Sequence, residues 1–427
     1  MRLHNIKNRE IIVKYLSILI ILTGLIGLHN NPIVGESYNK HSNLNSAWNI
    51  GVSEKVNDLV LDSSGNIYIS GTLYKTGKDD DIFLAKFDTN GNFKWNRTWG
   101  YSQIETQEGL ATDALGNIYL TGFSFSFNSW FIVKYNSSGS ELWSQTWNNF
   151  SAYDVVIDSS NNILIAGGLD DDAFLAKFNS LGKQQWNKSW NYDEDFTLCY
   201  DIALDRLNNI YITGTTGNSN VFLTKLNNTG VEEWNITWGG GNSDRVEGIA
   251  LDNSSNIYIA GYTTSFGAGS RDGFLVKFNN LGVQEWNTTW GGIGYDVGHN
   301  VAVDKSNNAY ITGVTDAGAG SYSGIFAKYD TLGVQKWRKR IESSFWDYTS
   351  GIAIDNLKNI YLTGKFNSEI LLAKYSSTGS LIWIEHYLTE SPVFLLFIPI
   401  TILSTLCCTL LLALSLYVQH NFKITPF

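Results

Sequence analysis

Proline and cysteine are scarce in this chain, and both absences restrict its structure. The 427 residues include four prolines, all near the two ends: Pro32, Pro392, Pro399 and Pro426. The long proline-free centre suits uninterrupted hydrogen-bonded strands. Three cysteines are present, of which only Cys199 lies away from the C-terminal apolar run. No disulfide can therefore form within the centre of the chain, and we expect Cys199 to be a small core residue.

Groups that perform catalysis are also few. Of the six histidines, only His299 lies well inside the central region. One histidine cannot build a histidine-rich zinc site, and the sequence contains no Gly-x-Ser-x-Gly nucleophile elbow. His299 precedes Asp304 by five residues, near the start of a predicted strand, so it either faces a channel or forms a structural hydrogen bond. We expect a protein without catalytic activity.

One pattern occurs seven times at a spacing of roughly 50 residues. An apolar strand ends in Asp, Asn follows four residues later, and a second strand ends in Gly. A third strand such as Phe-Leu-Ala-Lys-Phe leads through a Gly turn to a fourth such as Trp-Asn-x-Thr-Trp. The Asp positions are Asp62, Asp113, Asp158, Asp205, Asp252, Asp304 and Asp355. Four strands in each of seven repeats predict an all-β, seven-bladed β-propeller of four-stranded blades.

The repeated positions are explained by structure. Asp and Asn side chains bond their own backbone in tight hairpins. The Gly before each fourth strand indicates a backbone angle that a Cβ would oppose. The aromatic pairs of the fourth strands, such as Trp95 and Trp99, point to one face, because side chains four apart in a strand share a face. Packing between neighbouring blades explains this stripe, and carbohydrate stacking is the alternative.

The start of the chain carries an eighth copy of the fourth strand. Leu44 and Trp48 occupy its two aromatic positions, and Trp48 precedes Asp62 by the same interval that separates Trp99 from Asp113. A closed ring leaves no exposed sheet edges. We therefore expect the segment around Trp48 to join the blade that contains Trp383, with either copy outermost, and we place the propeller at residues 44–388.

Both ends of the chain are apolar. Residues 1–30 have a basic start and a short uncharged stretch, which predicts a secretory signal or an uncleaved signal anchor helix, followed by a linker at 31–43. Residues 392–418 contain a 26-residue run without charge, long enough for a transmembrane helix, with a buried core helix as the alternative. Basic flanks remain in the cytoplasm. We therefore expect an extracellular propeller, a cell-membrane anchor and a short cytoplasmic tail at 419–427.

The formal net charge is −10, and residues 31–391 carry the acidic excess. An acidic propeller is a poor ligand for nucleic acid, whose phosphates require Lys and Arg. It suits cationic groups or divalent ions, or it keeps the surface soluble.

Candidate binding residues lie in the loops that enter each blade and in the loops between second and third strands. A carboxylate recurs eight residues before the hairpin Asp in five blades: Glu54, Glu105, Asp244, Asp296 and Asp347. These either hold Ca²⁺ or a cationic group, or they form ion pairs and turn bonds inside each blade with a recurring Lys. Further candidates on this face are His299, Trp130 and Arg271. The Asp runs offer weak metal candidates at Asp79, Asp81, Asp170 and Asp172, and no other cofactor is expected.

Eight Asn-x-Ser/Thr sequons mark candidate glycosylation sites. They are Asn96, Asn136, Asn149, Asn187, Asn227, Asn235, Asn253 and Asn287. Occupied sequons fit a surface protein, whereas strands rich in Asn and Thr also produce sequons by chance.

The combination of Ala-Lys-Phe, Gly-x-x-x-Trp, a Gly-Gly loop and Ile-Ala-Leu-Asp-x-Ser-x-Asn-Ile-Tyr resembles a known repeat, best at residues 240–261 and 293–313. It is similar to the seven-bladed β-propeller repeat family of bacterial and archaeal surface proteins, and its hairpin is similar to NHL-type propellers. The resemblance implies an extracellular or envelope-attached propeller and no particular activity. Blade three departs by lacking the Gly-Gly loop, and blade six by replacing the second Trp with Ile341.

Three functions fit these observations. The leading interpretation is a membrane-anchored extracellular module that binds a protein, a glycan or another envelope partner. The first alternative is a quinone-dependent dehydrogenase, whose propeller also shows Gly-x-x-x-Trp, but no cofactor cavity with a calcium site can be placed in this sequence. The second alternative is a passive structural protein of the envelope.

Overall fold

The computed structural model describes residues 53–74, 81–100, 105–125, 127–148, 150–192, 195–318, 321–341, 346–367 and 369–387. These residues form seven antiparallel four-stranded sheets, each built from consecutive strands. Each first strand packs against the first strands of its two neighbours, and β1 of the first blade contacts β25 of the last. The described part of the chain is therefore a closed seven-bladed β-propeller, and this central prediction is confirmed.

The strands of the first four blades are as follows. Blade 1 contains β1 (Ser53–Leu61), β2 (Ile67–Tyr74), β3 (Asp81–Phe87) and β4 (Phe93–Trp99). Blade 2 contains β5 (Glu105–Thr112), β6 (Ile118–Ser124), β7 (Ser129–Tyr135) and β8 (Glu141–Trp147). Blade 3 contains β9 (Asp154–Ile157), β10 (Ile163–Leu169), β11 (Asp172–Phe178) and β12 (Gln184–Trp190). Blade 4 contains β13 (Thr197–Leu204), β14 (Ile210–Thr216), β15 (Val221–Leu226) and β16 (Glu232–Trp238).

The remaining three blades repeat this order. Blade 5 contains β17 (Asp244–Leu251), β18 (Ile257–Thr263), β19 (Asp272–Phe278) and β20 (Gln284–Trp290). Blade 6 contains β21 (Val297–Val303), β22 (Ala309–Gly318), β23 (Ser321–Tyr329) and β24 (Gln335–Ile341). Blade 7 contains β25 (Tyr348–Ile354), β26 (Ile360–Phe366), β27 (Glu369–Tyr375) and β28 (Leu381–Tyr387).

The predicted terminal helices, the linker and the strand copy around Trp48 lie outside the described residues. Within blade 7 the outermost described strand is β28, which carries Trp383. No helix that could cross a bilayer occurs in the described parts of the chain.

The hairpin between the first and second strands is held by its Asp and joined to the next blade by a lysine. In blade 6, Asp304 accepts hydrogen bonds from the backbone amides two and four residues later, at 2.8 and 3.0 Å, and from Nδ2 of Asn308 at 2.9 Å. The buried hydroxyl of Tyr310 donates to Oδ2 of Asp304 at 3.1 Å. Lys328 lies 5.0 Å from the centre of the Tyr310 ring and donates to the carbonyl of Ser377 in blade 7, at 3.1 Å.

The hairpins before the fourth strands confirm the predicted glycine conformation. All seven of these glycines have positive φ between 78° and 82°. In six blades the first Trp of the preceding fourth strand covers this glycine, as Trp95 covers Gly139, whereas Gln145 lies closest to Gly182 of blade 3. The second Trp also packs between blades, since the rings of Trp99 and Phe131 lie 4.2 Å apart. The aromatic stripe is therefore inter-blade packing, as predicted.

Blades 7 and 1 close the ring through the same contacts. Lys374 donates to the carbonyl of Thr89 at 3.4 Å, and the hydroxyl of Tyr387 donates to the carbonyl of Gly91 at 3.2 Å. Trp383 covers Gly91 just as Trp95 covers Gly139. The seam between the chain's two ends therefore uses the contacts of the other blade boundaries.

Candidate binding site at the channel mouth

The antiparallel order of each blade creates two different faces. The tight hairpins after the first and third strands lie on one side, here called the hairpin face. The segments that enter each blade and the loops after the second strands lie on the other, here called the loop face. Contacts across blades support this division: the Asp244 amide donates to the carbonyl of Ser219 at 2.7 Å, and the Asp296 amide to the carbonyl of Arg271 at 3.0 Å.

The recurring carboxylates of the loop face are buried within their own blades. Asp244 accepts from the Gly240 amide at 2.7 Å, from the Ser265 hydroxyl at 2.8 Å and from the Thr263 hydroxyl. Gly239 has φ +148°, and a Cβ there would lie 2.5 Å from a carboxylate oxygen of Asp244. The Gly-Gly loop thus lets the backbone approach the carboxylate closely.

The other described carboxylates of the loop face are also buried and hydrogen-bonded within their own blades. Asp296 accepts from the Gly292 amide at 3.1 Å and from the Thr315 hydroxyl. Glu105 accepts from the Ser124 hydroxyl at 2.8 Å, and Asp347 from the Asn367 amide at 2.8 Å. These side chains are at most 1 % exposed. They are bonded within their blades and do not converge on a shared site; the side chain of Glu54 lies outside the described residues.

A register shift displaces one or two residues from the hydrogen-bonded ladder in the inner strands of six blades, and in blade 3 the inner strand β9 begins only after Tyr153. In blade 1 the register shifts between Val56 and Asp58, which displaces Asn57. A Gly faces each bulge, and a Cβ on Gly71 would lie 2.0 Å from the carbonyl oxygen of Lys55. Bulges next to functional sites re-aim side chains. The residues at this position are Asn57, Glu108, Tyr153, Tyr200, Glu247, His299 and Ser350, all half-buried.

Charges on opposite blades show that the bulged residues surround a central channel. Burial raises the pKa of Glu108, while Lys55 of blade 1 and Arg245 of blade 5 oppose that rise. Burial likewise raises the pKa of Glu247 in blade 5, and Arg245 and Lys55 oppose it. Blade 5 is not a neighbour of blade 1 or blade 2, so the influence of Arg245 on Glu108 and of Lys55 on Glu247 acts across the axis of the ring. This ring is called the bulge ring below.

Aromatic side chains form a continuous wall from the loop face to the bulge ring. Phe123 lies 5.1 Å from Trp130, Trp130 lies 5.2 Å from Tyr153, and Tyr153 lies 5.7 Å from Tyr200, measured between ring centres. The wall spans blades 2, 3 and 4 and begins beside Phe125, which is 51 % exposed. The predicted candidate Trp130 is therefore a central member of this aromatic wall.

A charged pair ends the aromatic wall at blade 5. The Arg245 guanidinium lies 4.4 Å from the centre of the Tyr200 ring, and its Nε lies 3.0 Å from Oε1 of Glu247. Burial alone would lower the pKa of Arg245, but Glu247, Tyr200 and Tyr262 together raise it. Arg245 is therefore a fixed cation, so the site combines aromatic faces with a guanidinium and carboxylates.

Three aspartates line the channel one residue beyond the bulge ring. Burial raises the pKa of Asp58 to about 7, although it accepts from the Leu59 and Leu110 amides. Burial also raises the pKa of Asp154 and of Asp201, whose carboxyl groups are hydrogen-bonded to each other. Asp201 accepts from the Ile249 amide of blade 5 at 2.7 Å. Each aspartate thus joins its blade to the next.

His299 belongs to the bulge ring and also forms a structural hydrogen bond. Its Nδ1 lies 2.8 Å from the Thr349 carbonyl of blade 7. Its ring lies edge-on to Tyr348 with centres 6.2 Å apart. Burial lowers the pKa of His299, and Lys55 lowers it further against the effect of the Thr349 bond. His299 therefore occupies the blade 6 position of the bulge ring, next to Glu247 of blade 5.

Among the remaining predicted candidates, Arg271 adjoins the site, because its charge acts on Glu247 of the bulge ring. Arg271 lies between Tyr262 and Tyr295, 4.5 and 4.9 Å from their ring centres, on the loops of blades 5 and 6. Asp170 is exposed with φ 52° in the turn before β11, and Asp172 is half-buried at the start of that strand.

Two of the weak metal candidates, Asp79 and Asp81, belong to blade 1. Asp81 starts β3, and Asp79 lies outside the described residues. Among the residues that are described, no three His, Cys, Asp or Glu side chains are grouped as metal ligands would be.

The sequons differ in their exposure. Asn187, Asn235, Asn253 and Asn287 are exposed, Asn96, Asn136 and Asn227 are half-buried, and Asn149 lies outside the described residues. Asn136 and Asn227 occupy hairpin positions, where their side-chain oxygens accept backbone amides. The free Cys199 is buried, as predicted.

The residues that sequence reasoning missed are Tyr153, Tyr200, Arg245 and Glu247, together with the three channel aspartates. In the sequence, the bulge-ring positions could have been recognised because they vary between the seven repeats. Five residues before the hairpin Asp, the otherwise similar inner strands carry five different polar or aromatic residue types, and the next position alternates among Asp, Gly and Asn. A propeller repeats what its architecture needs, so columns that vary mark positions free for another role.

One family model of β-propeller repeats matches two segments of the chain. Residues 197–222 and 236–267 match the family model described as SBBP, β-propeller repeat. No curated protein matches the sequence. Similar solved structures include a protein of unknown function from Bacteroides caccae, with 11 % identity, a TM-score of 0.41 and coverage of 74 % of this chain and 93 % of that one. The Dos1 propeller has 11 % identity, a TM-score of 0.49 and coverage of 74 % and 78 %. The repeat matches and the seven four-stranded blades confirm the resemblance to β-propeller repeat proteins.

Proposed function

We propose that this protein is a membrane-anchored binding module of the cell surface, whose channel mouth binds a glycan of the envelope. The observation that carries this proposal is the aromatic wall from Trp130 through Tyr153 to Tyr200, ending at Arg245 and Glu247. This set occurs once, among blades that otherwise repeat. Ligand sites combine apolar and aromatic walls with a few fixed polar groups.

The chemistry of the wall favours a sugar over a cationic ligand. Aromatic faces pack against the C–H faces of sugar rings, and guanidinium and carboxylate groups bind paired hydroxyls. A cationic ligand would compete with Arg245, which already lies 4.4 Å from the centre of the Tyr200 ring.

The proposal is tested by screening the full-length protein in detergent on a glycan array and measuring affinity for the best ligand by titration calorimetry. Tyr200→Ala is expected to weaken binding about tenfold or more, because it removes one aromatic face and the support of Arg245. Leu115→Ala, at an exposed hairpin tip on the opposite face, is the matched control and should bind like the parent. Circular dichroism checks that both variants fold.

Four results would contradict the glycan proposal or favour one of its alternatives. Absence of any glycan ligand for the parent protein, or equal affinities of the parent and Tyr200→Ala, would contradict the proposal. A quinone released from the natively purified protein would instead favour the dehydrogenase alternative. An envelope that is weakened by deletion of the gene but unaffected by Tyr200→Ala would favour a structural role.

A further inference from the structure

The first and last described residues of the chain lie on the same face of the propeller. The first strand runs from the loop face to the hairpin face, so β1 begins at the loop face. The fourth strand runs the opposite way, so β28 ends there. Residues 388–392 are all that separates β28 from the uncharged run at 393–418. Five extended residues span at most about 17 Å.

The loops of blades 5 to 7 expose apolar side chains on this face. Phe266 is 44 % exposed in a loop of blade 5, Ile293 is 90 % exposed at the entrance to blade 6, and Trp346 is 66 % exposed at the entrance to blade 7. Tyr322 joins them, because its ring centre lies 4.8 Å from that of Trp346 and 5.9 Å from that of Tyr295. These five residues are called the apolar arc.

The exposure of carboxylates also differs between blades 5 to 7 and blades 3 and 4 of the loop face. In the described loops of blades 5 to 7, carboxylates such as Asp244, Asp296 and Asp347 are buried, and the others are half-buried. The cation Arg271 lies against Tyr295 within this region. Blades 3 and 4 differ, because their loops expose the carboxylates Asp170, Asp171 and Asp195.

We infer that the apolar arc lies in the interface of the lipid bilayer and tilts the propeller on its tether. The inference rests on the membrane anchoring proposed above. Tyrosine and tryptophan concentrate at the membrane–water interface, and apolar faces of peripheral segments enter it by about 5–10 Å. The tether leaves from blade 7, at one end of the arc. The acidic loops of blades 3 and 4 then face away from anionic lipid, and the aromatic wall of blades 2 to 4 remains open to solvent.

The test attaches an environment-sensitive fluorophore to Ile293→Cys in the full-length chain, with Cys407 and Cys408 replaced by Ala. Cys199 is buried and does not label. Leu357→Cys is the matched control, because Leu357 belongs to blade 7, is 82 % exposed and lies on the hairpin face. In nanodiscs, the label at 293 should be quenched by lipids carrying a spin label and protected from aqueous iodide. The label at 357 should show the reverse.

Several outcomes would overturn the inference. If the label at 293 is quenched by iodide while alkaline extraction leaves the chain in the membrane, anchoring holds and the docking is wrong. If extraction releases the chain, both are wrong. Protection from iodide without lipid quenching would indicate a protein partner or a second copy on the arc. Trp346→Cys is the second variant if Ile293→Cys does not fold, and none of these readouts involves the glycan.

Discussion

The hairpin face repeats the same residues in all seven blades, whereas the residues of the bulge ring vary from blade to blade. On the hairpin face, the Asp, Asn and Lys positions are filled identically in every blade. In the bulge ring, seven equivalent backbone positions carry five different residue types. Equivalent packing demands equivalent residues, because each hairpin must satisfy the same backbone amides and the same neighbouring blade. The bulge ring has no such demand, so its residues are free to serve binding.

Blade 3 is an internal variant of the hairpin face. It has Leu164 where six blades have a tyrosine that donates to, or lies beside, the hairpin Asp. There Lys177 forms a direct ion pair with Asp158 at 2.8 Å, with both side chains nearly buried. Burial raises the pKa of Asp158, but the bonds from Lys177 and Asn162 outweigh it and lower the pKa overall. The lysine thus takes over the role that tyrosine has elsewhere.

The largest expected effect is the loss of a hairpin Asp. Asp304→Ala leaves the amides two and four residues later, Nδ2 of Asn308 and the Tyr310 hydroxyl without their acceptor. We expect a loss of about 3–5 kcal/mol in the free energy of unfolding, measured by urea denaturation. Lys305→Ala, next to it on the surface, is the control. A loss below about 1 kcal/mol would show that solvent replaces these bonds.

Removing the lysine of the Lys177–Asp158 ion pair in blade 3 should lower the free energy of unfolding more than removing the equivalent lysine of blade 6. Lys177→Met leaves Asp158 buried without tyrosine or lysine, and we expect a loss of about 2–3 kcal/mol in unfolding free energy. Lys328→Met in blade 6 should cost less than about 1 kcal/mol, because Tyr310 still donates to Asp304 there. Equal losses in urea denaturation would remove the distinction between the two blades.

The smallest expected effect is a pH dependence in the channel. Because the pKa of Asp58 rises from its ordinary 3.8 to about 7 on folding, the folded state holds this proton more tightly. Its contribution to stability is therefore complete below pH 4 and is lost as the pH rises towards 7. Asp58→Asn keeps an acceptor for the amides and removes the proton, as Asn300 does naturally in blade 6.

Thermal unfolding at pH 4 and pH 8 measures this difference. At pH 8 the Asp58→Asn variant should exceed the parent by about 1–3 kcal/mol, a value reduced because the carboxyl keeps some contact with channel water. Parallel pH profiles for parent and variant would show that Asp58 is solvated and ionised in the folded protein.

The fold could be predicted because repetition reports architecture directly. The Trp stripe, the hairpin glycines and the burial of Cys199 followed from strand periodicity and turn chemistry. The recurring acids were recognised by the same repetition, but their burial depends on how closely loops such as Gly239 approach them. The aromatic wall could not be predicted, since Trp130, Tyr153 and Tyr200 belong to three different blades and Tyr200 leaves its ladder at the register shift between Cys199 and Asp201.

The glycine opposite each bulge has a consequence for the history of such proteins. Gly71 and its six counterparts accommodate the displaced backbone, whichever side chain the bulged residue carries. A gene duplicate could therefore acquire a new ligand through single-codon changes at seven known positions, with no compensating change in the sheets. Related chains should then be nearly interchangeable in their outer strands while differing most along their axis.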